Sequence, residues 1–106
     1  MPGPAATPAG LLLRPDGDRL VVGGDVDVFT VPQLVAAVDE ILDRRPPRLV
    51  LDLRKVGLAD STGLAALIRC RRRAHALDVE LLLDVGDGPV ARVLRLTRLE
   101  RVFAFV

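Results

Sequence analysis

At 106 residues the chain is long enough for one domain and too short for two, and a single core of this size buries roughly 60–70% of the unfolded surface. A hydrophobic fraction of 50% beside 27% charged residues describes a globular core, not a disordered chain, and a formal net charge of +1 points to neither a nucleic-acid binder nor a binder of acidic substrates. With three Phe and no Trp or Tyr there is little to stack on unpaired bases.

Residues 1–10, Met1-Pro2-Gly3-Pro4-Ala5-Ala6-Thr7-Pro8-Ala9-Gly10, have neither the charged nor the apolar region of a secretory signal and read as a flexible tail ahead of a domain spanning 11–106. Two strand-like runs come next, Leu11-Leu12-Leu13 and Leu20-Val21-Val22, flanking a turn at Pro15-Asp16-Gly17-Asp18. Thr30-Val31-Pro32-Gln33 has the form of a capping box with proline in the first turn, and Leu34, Val35, Val38, Ile41 and Leu42 share a helical stripe. Arg44-Arg45-Pro46-Pro47 stops that helix, since proline cannot donate to it.

The apolar run Leu49 to Leu53 predicts a buried strand. A helix starting near Ser61 then places Leu64, Leu67 and Ile68 on one stripe, although Arg71 and His75 continue the same stripe. Val79 to Leu83 predicts another strand, Asp87-Gly88-Pro89 opens a helix with Val90, Val93 and Leu94 inward, and Val102 to Phe105 predicts a last strand. This order, β-β-α-β-α-β-α-β, is that of an α/β domain: an opening hairpin followed by βαβ units, giving a mixed sheet with helices packed mainly on one face.

The junction Asp60-Ser61-Thr62-Gly63-Leu64 joins the central strand to the second of these helices. Either Asp60 or Ser61 could cap the helix, because a side-chain oxygen there can accept from the unpaired N–H groups of the first turn. A hydroxyl in this position is also well placed to carry a phosphate, since the helix dipole and free N–H groups favour negative charge.

The segment Val56-Gly57-Leu58-Ala59-Asp60-Ser61-Thr62-Gly63-Leu64, following Leu49-Val50-Leu51-Asp52-Leu53, resembles the STAS domain, and within it the anti-sigma factor antagonists of bacterial partner-switching systems. The likeness extends upstream to Gly24-Asp25-Val26-Asp27 and downstream to Val90 through Thr97 and Leu99. It implies that Ser61 is a regulatory phosphorylation site with Thr62 as the adjacent hydroxyl. It also implies that Asp25, Asp27, Asp60, Ser61, Thr62, Gly63 and Leu64 form the partner surface. The partners it implies are an anti-sigma factor serine kinase, which binds the ATP itself, and a phosphatase. A homodimer is compatible with it, and no cofactor is expected. The family usually has a further helix after the last strand, whereas this sequence stops at Val106.

Other chemistries fit less well. His75 is the only histidine, and if it shares a helix with Ser61 it stands roughly 20 Å away, too far to act as its base. Cys70 and His75 diverge on a helix, which argues against a metal site, and the single cysteine allows no intramolecular disulfide. Val85-Gly86-Asp87-Gly88-Pro89 lacks the lysine and hydroxyl of a phosphate-binding loop and reads as a turn with a cap. Arg69, Arg71, Arg72 and Arg73 form a basic cluster, either a solvated helix face or a contact for phosphate, acidic protein or anionic lipid. No apolar run reaches the ~20 residues of a membrane helix, and the expected location is the cytoplasm. A scaffold of a stress-sensing assembly and an accessory subunit of a membrane transporter ATPase are alternative roles within the same family.

Overall fold

The computed structural model describes residues 10–106; the tail expected over residues 1–10 lies, apart from Gly10, outside the described residues. The elements are β1 (Leu12–Asp16), β2 (Arg19–Val26), α1 (Val31–Leu42), β3 (Arg48–Ala59), α2 (Ser61–Ala76), β4 (Glu80–Asp84), α3 (Pro89–Leu96), a single 3₁₀ turn (Leu99–Arg101) and β5 (Ala104–Phe105). Spatial order follows sequence order, β1-β2-β3-β4-β5, with β1 antiparallel to β2 and every other pair parallel. The predicted α/β order and mixed sheet are therefore present.

The hairpin is tighter than expected. Pro15 and Asp16 belong to β1, which lies at the sheet edge where a missing N–H is tolerated, and only Gly17 and Asp18 turn the chain, Gly17 at φ 63°. All three βαβ crossovers advance in the same direction across the sheet. A right-handed connection then puts α1, α2 and α3 on one face. Between them lies a core that joins Leu20, Val22, Leu49, Leu51, Leu53 and Leu83 of the sheet to Leu34, Val38, Leu42, Leu67 and Leu94 of the helices.

The stripe of α2 that faces this core runs through Gly63, Ala66, Leu67, Cys70 and Ala74, while Arg71 and His75 are exposed. This resolves the conflict in the expected stripe. Small residues carry the buried face, so counting only large apolar side chains rotated it by part of a turn. Burial pushes the Cys70 thiol up to about 12, helped by the negative charge of Asp39, so the thiol stays protonated and unreactive near neutral pH.

Among the described residues no helix covers the other face of the sheet, yet Val21, Val50 and Leu82 are buried there together with Asp52. Arg19 of β2, opposite Val50 in register, reaches over β3 so that its Nη1 donates to Asp52 (3.0 Å) and to Asp84 of β4 (2.7 Å). Its aliphatic stem thus lies across the central strand and shields Val50. Arg54 forks onto Asp52 from the other side, at 3.0 and 2.7 Å. The Arg54 guanidinium and backbone N–H, together with Arg19, hold the Asp52 carboxyl well below the usual carboxylate range, against the opposing effect of burial.

Two strands differ in length from expectation. β3 continues through Val56 and Ala59 to the start of α2, and the register with β2 shifts twice on the way, between Val21 and Gly23 and between Gly24 and Asp25. Those irregularities break the two-residue alternation on which strand recognition depends. β5 is only Ala104–Phe105, because Val102 N bonds back to the Leu99 carbonyl to close the preceding 3₁₀ turn and the chain bends at Phe103.

Candidate functional site

Three strand-to-helix loops, β2–α1, β3–α2 and β4–α3, emerge at the carboxyl edge of the parallel strands, the edge where α/β sheets usually present their binding groups. The first two are joined directly. Asp60 N donates to the carbonyl of Val26 (3.3 Å), and Val26 and Ala59 are register partners. A Cβ built on Gly63 would lie 2.4 Å from that same Val26 oxygen, so only glycine lets the first turn of α2 rest against the end of β2. The order Asp-Ser-Thr-Gly thus sets how closely the junction approaches the sheet.

Asp60, not Ser61, caps α2: its Oδ1 accepts from Gly63 N at 2.9 Å, while its carbonyl accepts from Leu64 N at 2.9 Å. Ser61 becomes the first helical residue. Its side chain is exposed, and its hydroxyl makes no hydrogen bond among the described residues. The N–H groups of Ser61 and Thr62 likewise have no partner among the described residues, as expected for the open end of a helix. Thr62 is half-buried.

The β2–α1 loop uses its polar groups differently. The expected capping box does not form: Thr30 occupies the N-cap position without a side-chain cap bond, and Gln33 Oε1 instead accepts from Leu11 N at 2.9 Å, tying α1 to the start of the domain. Asp27 Oδ1 instead closes the turn ahead of α1, accepting from Phe29 N (2.9 Å) and Thr30 N (3.1 Å), while the backbone carbonyls of Asp27 and Thr30 take the N–H groups of Val31 and Gln33. Thr30 is buried. Its Oγ1 donates to the Asp25 carbonyl (2.7 Å) and accepts from Asp27 N (3.0 Å).

Of the seven residues expected at a partner surface, Asp25 and Ser61 are exposed and Asp27, Asp60 and Thr62 are half-buried. Gly63 and Leu64 are buried, the first against β2 and the second in the core cluster. Sequence reasoning did not single out Val28, Phe29 and Leu58, which are exposed at this same edge. The available signal was two apolar residues set between Asp27 and Thr30 in a loop where polar residues are the norm.

His75 lies near the far end of α2, on the helix that begins with Ser61, and no basic side chain bonds the Ser61 hydroxyl among the described residues. The cleft that His75 lines, with Arg71, Glu80 and Phe103, holds about 270 Å³ and does not include Ser61. Within the basic cluster, whose four arginines are all exposed, Arg73 bonds Asp39 of α1 and Asp43 at its C-terminal cap at 3.0 and 2.7 Å, which makes it a helix-to-helix clamp. Among the described residues no three His, Cys, Asp or Glu side chains converge as metal ligands, and no helix is long and apolar enough to cross a membrane.

A family model described as "Mlab, STAS domain" matches residues 11–106, a span that takes in every strand and helix described above. The chain belongs to the STAS domain family. Among curated proteins, the anti-sigma-B factor antagonist of Staphylococcus aureus is 31% identical over 80 residues, covering 74% of this chain and 73% of the relative. The crystal structure of an anti-sigma factor antagonist from Mycobacterium paratuberculosis superposes with a TM-score of 0.73 at 26% identity, over 90% of this chain and 82% of that one. The unphosphorylated form of the anti-sigma factor antagonist SpoIIAA shares the fold, with a TM-score of 0.61 at 17% identity over 87% and 96% of the two chains. The STAS fold is thus the arrangement that brings the Asp25–Asp27 loop beside the Ser61 junction.

Proposed function

We propose that this STAS domain is an anti-sigma factor antagonist that binds an anti-sigma factor while Ser61 is unmodified and releases it when Ser61 is phosphorylated. The observation that carries this reading is the Ser61 hydroxyl itself: exposed at the start of α2, with the cap supplied by Asp60. Modification there costs the fold no hydrogen bond. The free N–H groups of Ser61 and Thr62 and the helix dipole tolerate a phosphate locally, so the free protein keeps its shape. In a desolvated interface the same group adds roughly −1.5 to −2 charge beside Asp60 and drives the partner off.

The kinase is the anti-sigma factor, which supplies the ATP site, and a separate phosphatase resets the switch in the cytoplasm. The domain works by binding and not by turnover. A nucleophilic serine needs a base within hydrogen-bond reach, and the Ser61 hydroxyl has none among the described residues.

Two measurements test the reading together. Mass spectrometry of the protein from its native host, with and without phosphatase, should find a phosphate on Ser61. Titration against the host's anti-sigma factor serine kinases should show Ser61→Ala binding like the wild type and Ser61→Asp binding at least about tenfold more weakly. A Ser61→Asp variant that binds as tightly as the wild type defeats the charge mechanism.

A further inference from the structure

Large apolar side chains exposed on a small domain are informative when they gather at one place. Val28, Phe29 and Leu58 are 58%, 79% and 52% exposed, and all three belong to the edge that carries Ser61. Val28 follows Val26 by two residues, a span of at most about 7 Å. Val26 is itself bonded to Asp60 and touches the Gly63 position. Leu58 is the register partner of Asp25 and stands three residues before Ser61.

Phe29 is not exposed because its loop is loose. Its own N–H donates to Asp27 Oδ1 (2.9 Å), and the next residue, Thr30, fixes the loop to Asp25 and Asp27 through its buried hydroxyl. The Asp27 carbonyl also accepts from Val31 N (2.9 Å), so the loop is stitched to the first turn of α1. A hydrogen-bonded loop thus holds an aromatic ring out into solvent. Little ordering cost remains when such a ring is captured, and rigid aromatic anchors carry a large share of binding energy in interfaces. Acidic groups gather here: Asp25 near the end of β2 and Asp87 are exposed and Asp27 and Asp60 half-buried, while the exposed cations Arg54 and Lys55 sit further back along β3. Complementarity then calls for cations on the partner.

We infer that Phe29, with Val28 and Leu58 at the same edge, is the apolar anchor of the partner interface, and that the anti-sigma factor receives it in an apolar groove rimmed by cationic side chains. This rests on the function proposed above. Affinity and switching are then separate tasks, the anchor holding the partner and Ser61 at its margin deciding whether the partner can close on it. The kinase reaches Ser61 only while the anchor is seated. Losing the anchor therefore raises KM for phosphorylation and leaves kcat unchanged, because the ring takes no part in the transfer.

The test uses the full chain and its Phe29→Ala variant against each purified anti-sigma factor serine kinase of the host, by calorimetric titration and by steady-state phosphorylation of Ser61. Phe29→Ala should weaken binding by at least about 30-fold and raise KM in parallel, with Val28→Ala and Leu58→Ala each costing about three- to tenfold. Leu96→Ala is the control: this side chain is 77% exposed but sits at the far end of α3, and its removal should change neither constant. Phe29→Ala binding within about twofold of the wild type, while Ser61→Asp fails to bind, overturns the anchor and leaves the switch standing. Equal losses from Leu96→Ala and Phe29→Ala also overturn it, since general surface hydrophobicity would then be responsible. If no kinase binds the wild-type chain, the functional reading and the anchor fall together.

Discussion

The two junctions that meet at the carboxyl edge of the sheet are built from the same parts and use them in opposite ways. Each ends a parallel strand, each carries an aspartate whose Oδ1 accepts from backbone N–H groups, Asp27 in the turn just before α1 and Asp60 in the first turn of α2, and each has a hydroxyl residue within three positions of that aspartate. In the β2–α1 loop the Thr30 hydroxyl is buried and bonded both as donor and as acceptor. In the β3–α2 junction Asp60 does the capping alone and leaves Ser61 free. A hydroxyl near a helix start therefore says little about its role until its bonds are counted. What separates a structural hydroxyl from one available for modification is whether any backbone group depends on it.

The largest effect should come from the feature that presses the two junctions together. Gly63→Ala introduces a Cβ only 2.4 Å from a backbone carbonyl, and backbone cannot swing aside as a flexible side chain can. Alanine gains helix propensity, but the clash outweighs it, and the variant should lose about 2–3 kcal/mol in denaturant unfolding. A neutral result would mean that the start of α2 floats free of β2. The contrast between the two junctions would then lack a common frame.

Next comes the structural hydroxyl. Thr30→Val keeps the shape and removes the donor to Asp25 O and the acceptor of Asp27 N, leaving two partly buried groups without that partner, at a cost of about 2 kcal/mol. The loop that presents Phe29 would loosen with it, which should appear as faster amide exchange at Phe29 and Thr30.

An acid titration tests the carboxylate on the open face of the sheet, away from both junctions. Asp52 is held well below the ordinary carboxylate range in the folded protein, whereas in the unfolded chain it titrates near 3.9. A depressed folded value contributes stability above the unfolded value, and that contribution is lost as pH falls below it. Asp52→Asn should cost about 2 kcal/mol at pH 7, discounted because Arg54 is largely exposed, and the gap to wild type should narrow below about pH 4. A gap that stays constant down to pH 2 would show that the Arg19–Asp52–Arg54 bonds contribute shape but not charge.

Much of this architecture could be read from sequence, and the misses have physical causes. The helices and their order were legible because Leu34, Val38 and Leu42 repeat at helical spacing and because Pro46, Pro47 and Pro89 punctuate the chain. The full length of β3 was not, since two register shifts break its alternation before Ala59. The buried face of α2 was misplaced because Gly63, Ala66, Cys70 and Ala74 bury themselves without looking hydrophobic in bulk. At the site, Ser61 stood out by its place in the Asp-Ser-Thr-Gly run. Which oxygen would cap was left open between Asp60 and Ser61, and only geometry decides it. The capping box at Thr30 and Gln33 failed because Asp27 Oδ1 takes the Thr30 N–H that the Gln33 side chain would have bonded and the Thr30 carbonyl takes the Gln33 N–H, and local sequence spacing does not rank competing acceptors. The Arg19 bridge over β3 could not be foreseen, because it joins residues 65 positions apart.

Asp60→Ala removes one cap bond at a half-exposed helix end and should cost about 1 kcal/mol, half the effect of losing the Thr30 hydroxyl. If Ser61 can turn inward to replace that cap, the loss will shrink towards a few tenths, and Ser61 will then become a poorer phosphate acceptor in the same variant. Phosphorylation rate and stability would be coupled there, whereas under the proposed switch the wild-type chain keeps them independent.

The smallest stability effect is the most discriminating. Ser61→Ala deletes a hydroxyl that is exposed and bonded to nothing among the described residues, in a first turn whose N3 amide is already satisfied by Asp60. Its unfolding free energy should lie within about 0.5 kcal/mol of the wild type, as for surface positions in general. Set against Thr30→Val, this is the direct test of the contrast: similar deletions at two helix starts, one costly and one nearly free. Should Ser61→Ala destabilise the domain as much as Thr30→Val, the hydroxyl serves the fold after all. A phosphate on it would then disturb the start of α2 as well as the interface, and the free protein, not only its complex, would change shape on modification.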